Sequence, residues 1–187
     1  MSSAAGRRRR DPEGTKQALL DAGGAVAAER GLTRLSLDRV AAEASVAKGS
    51  LLHHFRTRES YLLALHRSWH DRVYDEIVAA VAEGPPDRER VLSAASLYLD
   101  ICRRDQRVRA VLFGARGEPG LAAEVAARNL QFVAWIRDDF AAMGFSDPDA
   151  TGQLFLGAVV QAAVLEQAAG RRQPELRQAL RELLASP

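Results

Sequence analysis

Along most of the chain apolar residues recur every three to four positions, the period of an amphipathic helix. Nowhere do β-branched residues alternate in the period-two pattern of a strand. Glycine and proline interrupt the pattern at Gly31, Gly84-Pro85-Pro86, the stretch Gly117–Gly120, Gly144, Pro148 and Gly170–Pro174. The segments between them predict about nine helices and an all-α fold. A first helix is expected from Pro12 to Arg30, with Pro12 in its first turn, Gly31 as its stop, and Leu19, Ala22, Gly23, Val26 and Ala27 on one face. A second, over Leu37–Ala44, follows Ser36 as N-cap and turns Val40 and Ala41 inward. A third spans Ala47–His54. The fourth is long, from Arg58 to about Glu83, with Leu62, Leu65, Trp69, Val73 and Ile77 as its inward stripe. Further helices are expected over Asp87–Arg104, Gln106–Ala115, Leu121–Met143, Asp149–Ala169 and Glu175–Ala185.

The second and third helices are too short to bury a core alone, so they must pack across the turn at Ala44–Ala47 and against the first helix. That is a helix-turn-helix. At about 100° per residue, Leu51 and Phe55 fall on one side of the third helix and anchor inward. Gly49 and His53 fall on the opposite side, flanked by Lys48, Ser50 and Leu52. A helical glycine costs roughly 1 kcal/mol against alanine, which makes sense at Gly49 if a DNA backbone approaches closely. No acidic residue occurs from Ala44 to Arg58, whereas Lys48, Arg56 and Arg58 do. A phosphate-binding surface requires that absence as much as the cations.

Composition narrows the function classes. With 187 residues, 47% hydrophobic and 27% charged, the chain can bury a sizeable core as one compact domain or two small ones sharing it. No apolar run approaches the roughly 20 residues of a membrane-spanning helix, and no apolar stretch follows the opening MSSAAGRRRR, so neither membrane insertion nor secretion is expected. The single cysteine, Cys102, excludes an intrachain disulfide and a thiolate-rich zinc site, and fits a cytoplasmic protein. Net charge is +2, but 11 Lys/Arg against 7 Asp/Glu lie in residues 1–60 and 15 against 17 in the rest. Contact with a polyanion is thus expected near the amino terminus. The run Arg7–Arg10 reads either as a solvated tail or as an arm holding phosphates or entering a minor groove.

The segment from Ser36 to Leu62 resembles the DNA-binding region of the TetR family of transcription regulators. The family's loose pattern, T-x-x-x-I-A-x-x-A-G-V-S-K-G-T-L-Y-Y-H-F-x-x-K-E, is met by Ser36, Val40, Ala41, Ala44, Val46, Lys48, Gly49, Ser50, Leu51, His54, Phe55 and Glu59, with Arg58 in place of Lys and Leu62 close behind. The resemblance implies a DNA-binding set of Ser36, Lys48, Gly49, Ser50, Leu52, His53, His54 and Arg58, in which Ser36 and Arg58 meet phosphates and the others enter the groove or flank it. It also implies a basic arm over residues 1–11, a DNA-binding domain over 12–58 and a ligand-binding and dimerisation body over 59–187, joined through the long fourth helix. Among the departures from the pattern, Ser45 replaces the turn glycine, Ala47 replaces the serine cap, and Leu52 replaces a tyrosine, leaving a thymine methyl as its natural contact.

For the body the family implies a small-molecule pocket, largely apolar, and a homodimer surface. Trp69, Tyr98, Phe113, Phe132 and Trp135, with Gln131, Gln161 and Arg116 as polar anchors, are candidates for the pocket, though each aromatic reads equally as core filling. Small residues in the eighth helix and the leucines of the ninth suggest a four-helix interface involving Gly157, Val160, Val164, Leu176, Leu180 and Leu183. His66 and His70 are spaced for metal chelation, but no third ligand is evident, and they read as a core face. Cys102 reads as a buried small hydrophobe. No nucleophile–base set, phosphate loop or metal cluster is recognisable, so neither an enzyme nor a cofactor is expected. The reading is a ligand-responsive regulator, most simply a repressor on a pseudo-palindromic duplex operator. The rivals are an activator and a helical protein adaptor with an unused helix-turn-helix.

Overall fold

Three prolines that break the hydrophobic pattern begin helices instead of separating them. Pro119, Pro148 and Pro174 occupy the first helical position, where the missing N–H would be unpaired anyway and φ is already set. These helices therefore start one or two residues earlier than periodicity alone indicates. The computed structural model describes residues 11–30, 35–81 and 84–185. The Arg7–Arg10 run, Gly31 and Glu83 lie outside them. Among the described residues there are nine helices and no strand: α1 (Pro12–Arg30), α2 (Leu37–Glu43), α3 (Lys48–His54), α4 (Arg58–Ala80), α5 (Arg88–Arg104), α6 (Gln106–Ala115), α7 (Pro119–Ala142), α8 (Pro148–Ala169) and α9 (Pro174–Leu183).

Local side chains set the boundaries. The Asp11 carboxylate accepts from the Gly14 N–H at 3.0 Å and opens α1. Thr57 and Ser60 form a reciprocal capping box at the start of α4, each side-chain oxygen accepting from the other's backbone N–H at 3.0 and 3.1 Å. Gly170, at φ 64°, ends α8 in the left-handed region that glycine adopts freely.

The amino-terminal helices share one small core. Leu19, Ala22 and Val26 of α1, Val40 and Ala41 of α2, and Leu51 and Phe55 around α3 are buried together with Tyr61 and Leu62. The Tyr61 hydroxyl donates to the Leu19 carbonyl at 2.7 Å and occupies the space a side chain at Gly23 would need, 1.7 Å from where a Cβ would sit. Gly23 is thus required by packing. The body is a bundle of α4 to α9 in which the stripe Leu62, Leu65, Trp69, Val73 and Ile77 faces inward, as the periodicity predicts.

The ninth helix corrects one expectation. Leu180 and Leu184 are buried and Leu176 is half-buried within the chain itself. Arg177 pins α9 to α8 and α5: its guanidinium donates to Glu166 at 2.8 and 2.9 Å and to Asp100 at 2.8 Å. Leu180 is thus covered by the chain itself, whereas Leu176 keeps part of its surface exposed. Of the leucines assigned there, Leu183 faces outward.

The turn between α2 and α3 carries a local cost. The Val46 N–H bonds Ala41 O at 2.9 Å and the Ser45 N–H bonds Ala42 O at 3.1 Å, the Schellman pattern whose left-handed position favours glycine. Ser45 fills it at φ 52°. Relieving this strain, Ser45→Gly will stabilise the chain by about 1 kcal/mol. A urea midpoint that stays put or falls contradicts this account of the turn.

Candidate nucleic-acid interface and ligand cavity

The third helix shows the two faces that its sequence implies. Leu51 is buried and Phe55 packs edge-on against Tyr61, with ring centroids 5.1 Å apart. Lys48, Gly49, Leu52 and His53 are exposed, and Ser50 and His54 are half-buried. A Cβ at Gly49 would meet nothing within 4 Å. Unlike Gly23, this glycine has no packing reason inside the chain. The exposed Leu52 is an apolar side chain in an otherwise polar surface. His53 and His54 touch edge to face, with centroids 5.6 Å apart.

Ser36 caps α2 by accepting from the Arg39 N–H at 3.4 Å. That bond uses an oxygen lone pair and leaves the hydroxyl proton able to donate outward. Lys48 holds Asp38 at 2.8 Å, but both side chains are well exposed, so the pair is weak and readily exchanged. Arg58 occupies a different environment from the phosphate-facing one expected of it. Its Nε donates to Leu35 O at 3.3 Å and its Nη1 to Glu118 at 2.7 Å. It ties the start of α4 to the segment before α2 and to the N-cap of α7, and acts as a junction residue.

That junction has a second component. A Cβ at Gly24 of α1 would meet Val108 Cγ2 of α6 at 2.7 Å, so α1 and α6 touch with glycine as the spacer. The amino-terminal unit is therefore held to the body by α6 and the α6–α7 turn as well as by the continuous α4.

Behind α6 lie two small adjoining cavities. One, about 60 Å³, is bordered by Tyr98, Phe132, Trp135 and Phe155 and is apolar in character. The other, about 70 Å³, is bordered by His66, Trp69, Arg109, Phe113 and Arg116. His70, Tyr98, Asn129 and Val160 border both. Six of the eight residues proposed for a pocket from sequence, Arg116 among them, thus line these spaces. Gln131 lies outside them, accepting from Arg128 at 3.2 Å, and Gln161 lines the outer groove between α7 and α8. Sequence reasoning missed Asn129 and Arg109 altogether and read His66 and His70 as core. The i, i+4 spacing of the histidines was the available signal. Arg109 offered none.

Both histidines are more than nine-tenths buried, and their Nδ1 atoms have no hydrogen-bond partner among the described residues. Burial pushes His66 down, and burial with the neighbouring His66 pushes His70 down to about 4. The charged groups around them are Glu124 and Asp71, which act the other way, and Arg128 and Arg67. Among the described residues no group of three His, Cys, Asp or Glu is placed to hold a metal ion. Cys102 is buried, and burial pushes its thiol up to about 11, so it stays protonated and unreactive at neutral pH.

A helix-turn-helix with an exposed, cation-bearing outer face is carried here on a helical body that holds two small cavities. Residues 19–65 match the model of the bacterial regulatory proteins of the tetR family. No curated protein shares significant sequence similarity with the chain. Solved structures share its fold over nearly their whole length. A transcriptional regulator from Rhodococcus sp. Rha1 superposes with a TM-score of 0.79 at 23% identity, covering 94% of each chain. A TetR-like transcriptional regulator from Rhodococcus sp. RHA1 gives 0.73 at 19% identity, covering 94% of this chain and 96% of that one. The multidrug binding protein EbrR, complexed with imidazole, gives 0.73 at 22% identity, covering 92% and 96%. The resemblance to the TetR family holds in the matched segment and in the all-α fold. Among the described residues no helix is long and apolar enough to cross a membrane.

The histidines make stability pH-dependent in a defined window. A group whose pKa is lower in the folded chain than in the unfolded one, near 6.5, stabilises above 6.5 and loses that contribution as pH falls toward 4. Between pH 6.5 and 4.5, above the range where carboxylates dominate, the urea midpoint will fall. Replacing His66 and His70 by Gln will flatten that slope. An unchanged slope in the double variant would place its origin elsewhere.

Proposed function

We propose that the chain is a ligand-responsive transcription regulator that reads duplex DNA through the outer face of α3. The observation that carries this reading is Gly49: a helical glycine with open space around it, on a face bearing Lys48, Leu52 and His53, beside which the Asp38 carboxylate is held by Lys48. A residue that weakens its own helix without relieving any internal contact is explained by an external surface that must come close. Ser36, with its hydroxyl proton available beside this face, suits a phosphate contact. His53 suits a base edge and Leu52 a thymine methyl.

The reading extends to a homodimer. The groove between α7 and α8 is lined by Leu130, Gly157, Val160 and Val164, and Leu154 beside it is 78% exposed. Two copies joined across this groove would carry two α3 helices into successive major grooves of a pseudo-palindromic operator.

The small-molecule arm of the reading rests on α6. Val108 on one side of this helix meets α1, while Arg109 and Phe113 border the cavity. A ligand that shifts α6 thereby moves α1 and changes the separation of the two heads. It acts only to the extent that it binds the two arrangements differently. Release of a repressor from its operator is the simplest outcome. The EbrR neighbour, described as a multidrug binding protein, supports a body of this fold holding small molecules.

Selection from a pool of random duplexes will enrich one palindrome. On that duplex His53→Ala will weaken binding by roughly 1–3 kcal/mol. Gly49→Ala will also weaken it while stabilising the fold by up to about 1 kcal/mol. Absence of enrichment at low salt, or a Gly49→Ala variant that binds as tightly as the parent, would overturn the reading.

A further inference from the structure

The arginines buried in this chain are not treated alike. Arg177 bonds the carboxylates of Glu166 and Asp100. Arg90 bonds both oxygens of Asp139, which is fully buried. Arg109 is more deeply buried than either, at 4% exposure. Its partners are Ala163 O at 3.2 Å, Gln167 Oε1 at 2.5 Å, Val160 O at 3.5 Å, the Tyr98 hydroxyl and the face of the Phe113 ring, all neutral, and among the described residues it has no ion pair. A guanidinium does not shed its proton, and a buried charge demands an opposite one. Arg109 borders a cavity, so the missing anion has a place to sit.

Three further observations converge on that cavity. His66 and His70 line it, each more than nine-tenths buried, and their Nδ1 atoms have no hydrogen-bond partner among the described residues. Arg116 stands at the same space, its guanidinium 4.4 Å from the Phe113 ring centroid, again with no ion pair among the described residues. No Asp or Glu lines either cavity. The adjoining space supplies the opposite chemistry: Ile77, Phe132, Trp135 and Phe155 line an apolar pocket that shares His70 and Tyr98 as walls with the cationic one. The two spaces, about 60 and 70 Å³, together approach the roughly 150 Å³ of an apolar cavity that admits benzene.

We infer that the effector of this regulator is a compact aryl carboxylate, held with its carboxylate between Arg109, Arg116 and the two imidazoles and its ring against Phe132 and Trp135. The inference deepens the ligand-responsive reading and rests on it. A carboxylate matches the planar fork of arginine and gives the imidazoles an acceptor. The position of Arg109 on α6 puts the charge of the ligand on the helix that touches α1.

The test is calorimetry on the full chain without DNA, using 3-phenylpropanoate, its amide and 3-phenylpropylamine, which share one carbon skeleton and differ in charge. The acid will bind at least tenfold more tightly than the amide, and the amine least of all. Arg116→Gln, at the cavity rim and outside the packed core, will weaken the acid about tenfold and leave the amide unchanged. Arg109→Gln will abolish the preference, and where that variant folds poorly Arg116→Gln decides. Equal affinity for acid and amide, tighter binding of the amine, or no binding of the acid at millimolar concentration overturns the inference. Because no DNA is present, failure of the operator reading leaves this result untouched. Conversely, an acid that binds with the stated preference yet leaves operator affinity unchanged would refute the effector role while the anion site stands.

Discussion

The contact of α1 with α6 at Gly24 and Val108 is the constraint on which the rest of the architecture depends. Without a side chain at Gly24 the two helices meet closely, and a Cβ there would strike Val108 at 2.7 Å. The helix-turn-helix cannot fold alone, since α2 and α3 have seven residues each and borrow their core from α1 and the start of α4. Holding α1 therefore holds the reading face. Arg58 fastens the same junction from the other side through Leu35 and Glu118. The amino-terminal unit and the body are thus packed together through α1, α6 and Arg58.

This arrangement explains why the polar residues of the body are distributed unevenly. Arg90 and Arg177 have buried carboxylate partners and lock α5, α7, α8 and α9 together. Around α6 the pattern reverses, with Arg109, Arg116, His66 and His70 lacking such partners among the described residues. Charge-paired networks rigidify a core. The two arginines without a carboxylate partner lie on α6 and at its C-cap, and α6 is the helix that touches α1.

Much of this was legible in the sequence, for identifiable reasons. The helices around Ser36–Phe55 are short and capped locally, so periodicity and cap chemistry sufficed to turn Leu51 and Phe55 inward and Gly49 and His53 outward. The inward stripe of α4 was likewise readable. Periodicity failed where the question was what a face packs against. The leucines of α9 looked like an interface because their spacing says only that they are covered, and the cover is the chain's own α5 and α8. Arg58 sits at the family's cationic position but found a carboxylate sixty residues away, which no local pattern encodes. Arg109 was invisible for the same reason, since its isolation is a property of five converging helices. Prolines at 119, 148 and 174 were read as breaks because a break and a first helical turn share the same residue.

The central claim is that the outer face of α3 meets duplex DNA. Hydrogen exchange of the full chain, free and bound to its selected duplex, tests it most directly, because it reports on every described helix at once. Slowed exchange confined to residues 36–58 and the adjoining part of α1, with α7 and α8 unchanged by DNA, is the result predicted. Slowed exchange in the body, with residues 48–54 exchanging as in the free protein, would contradict it.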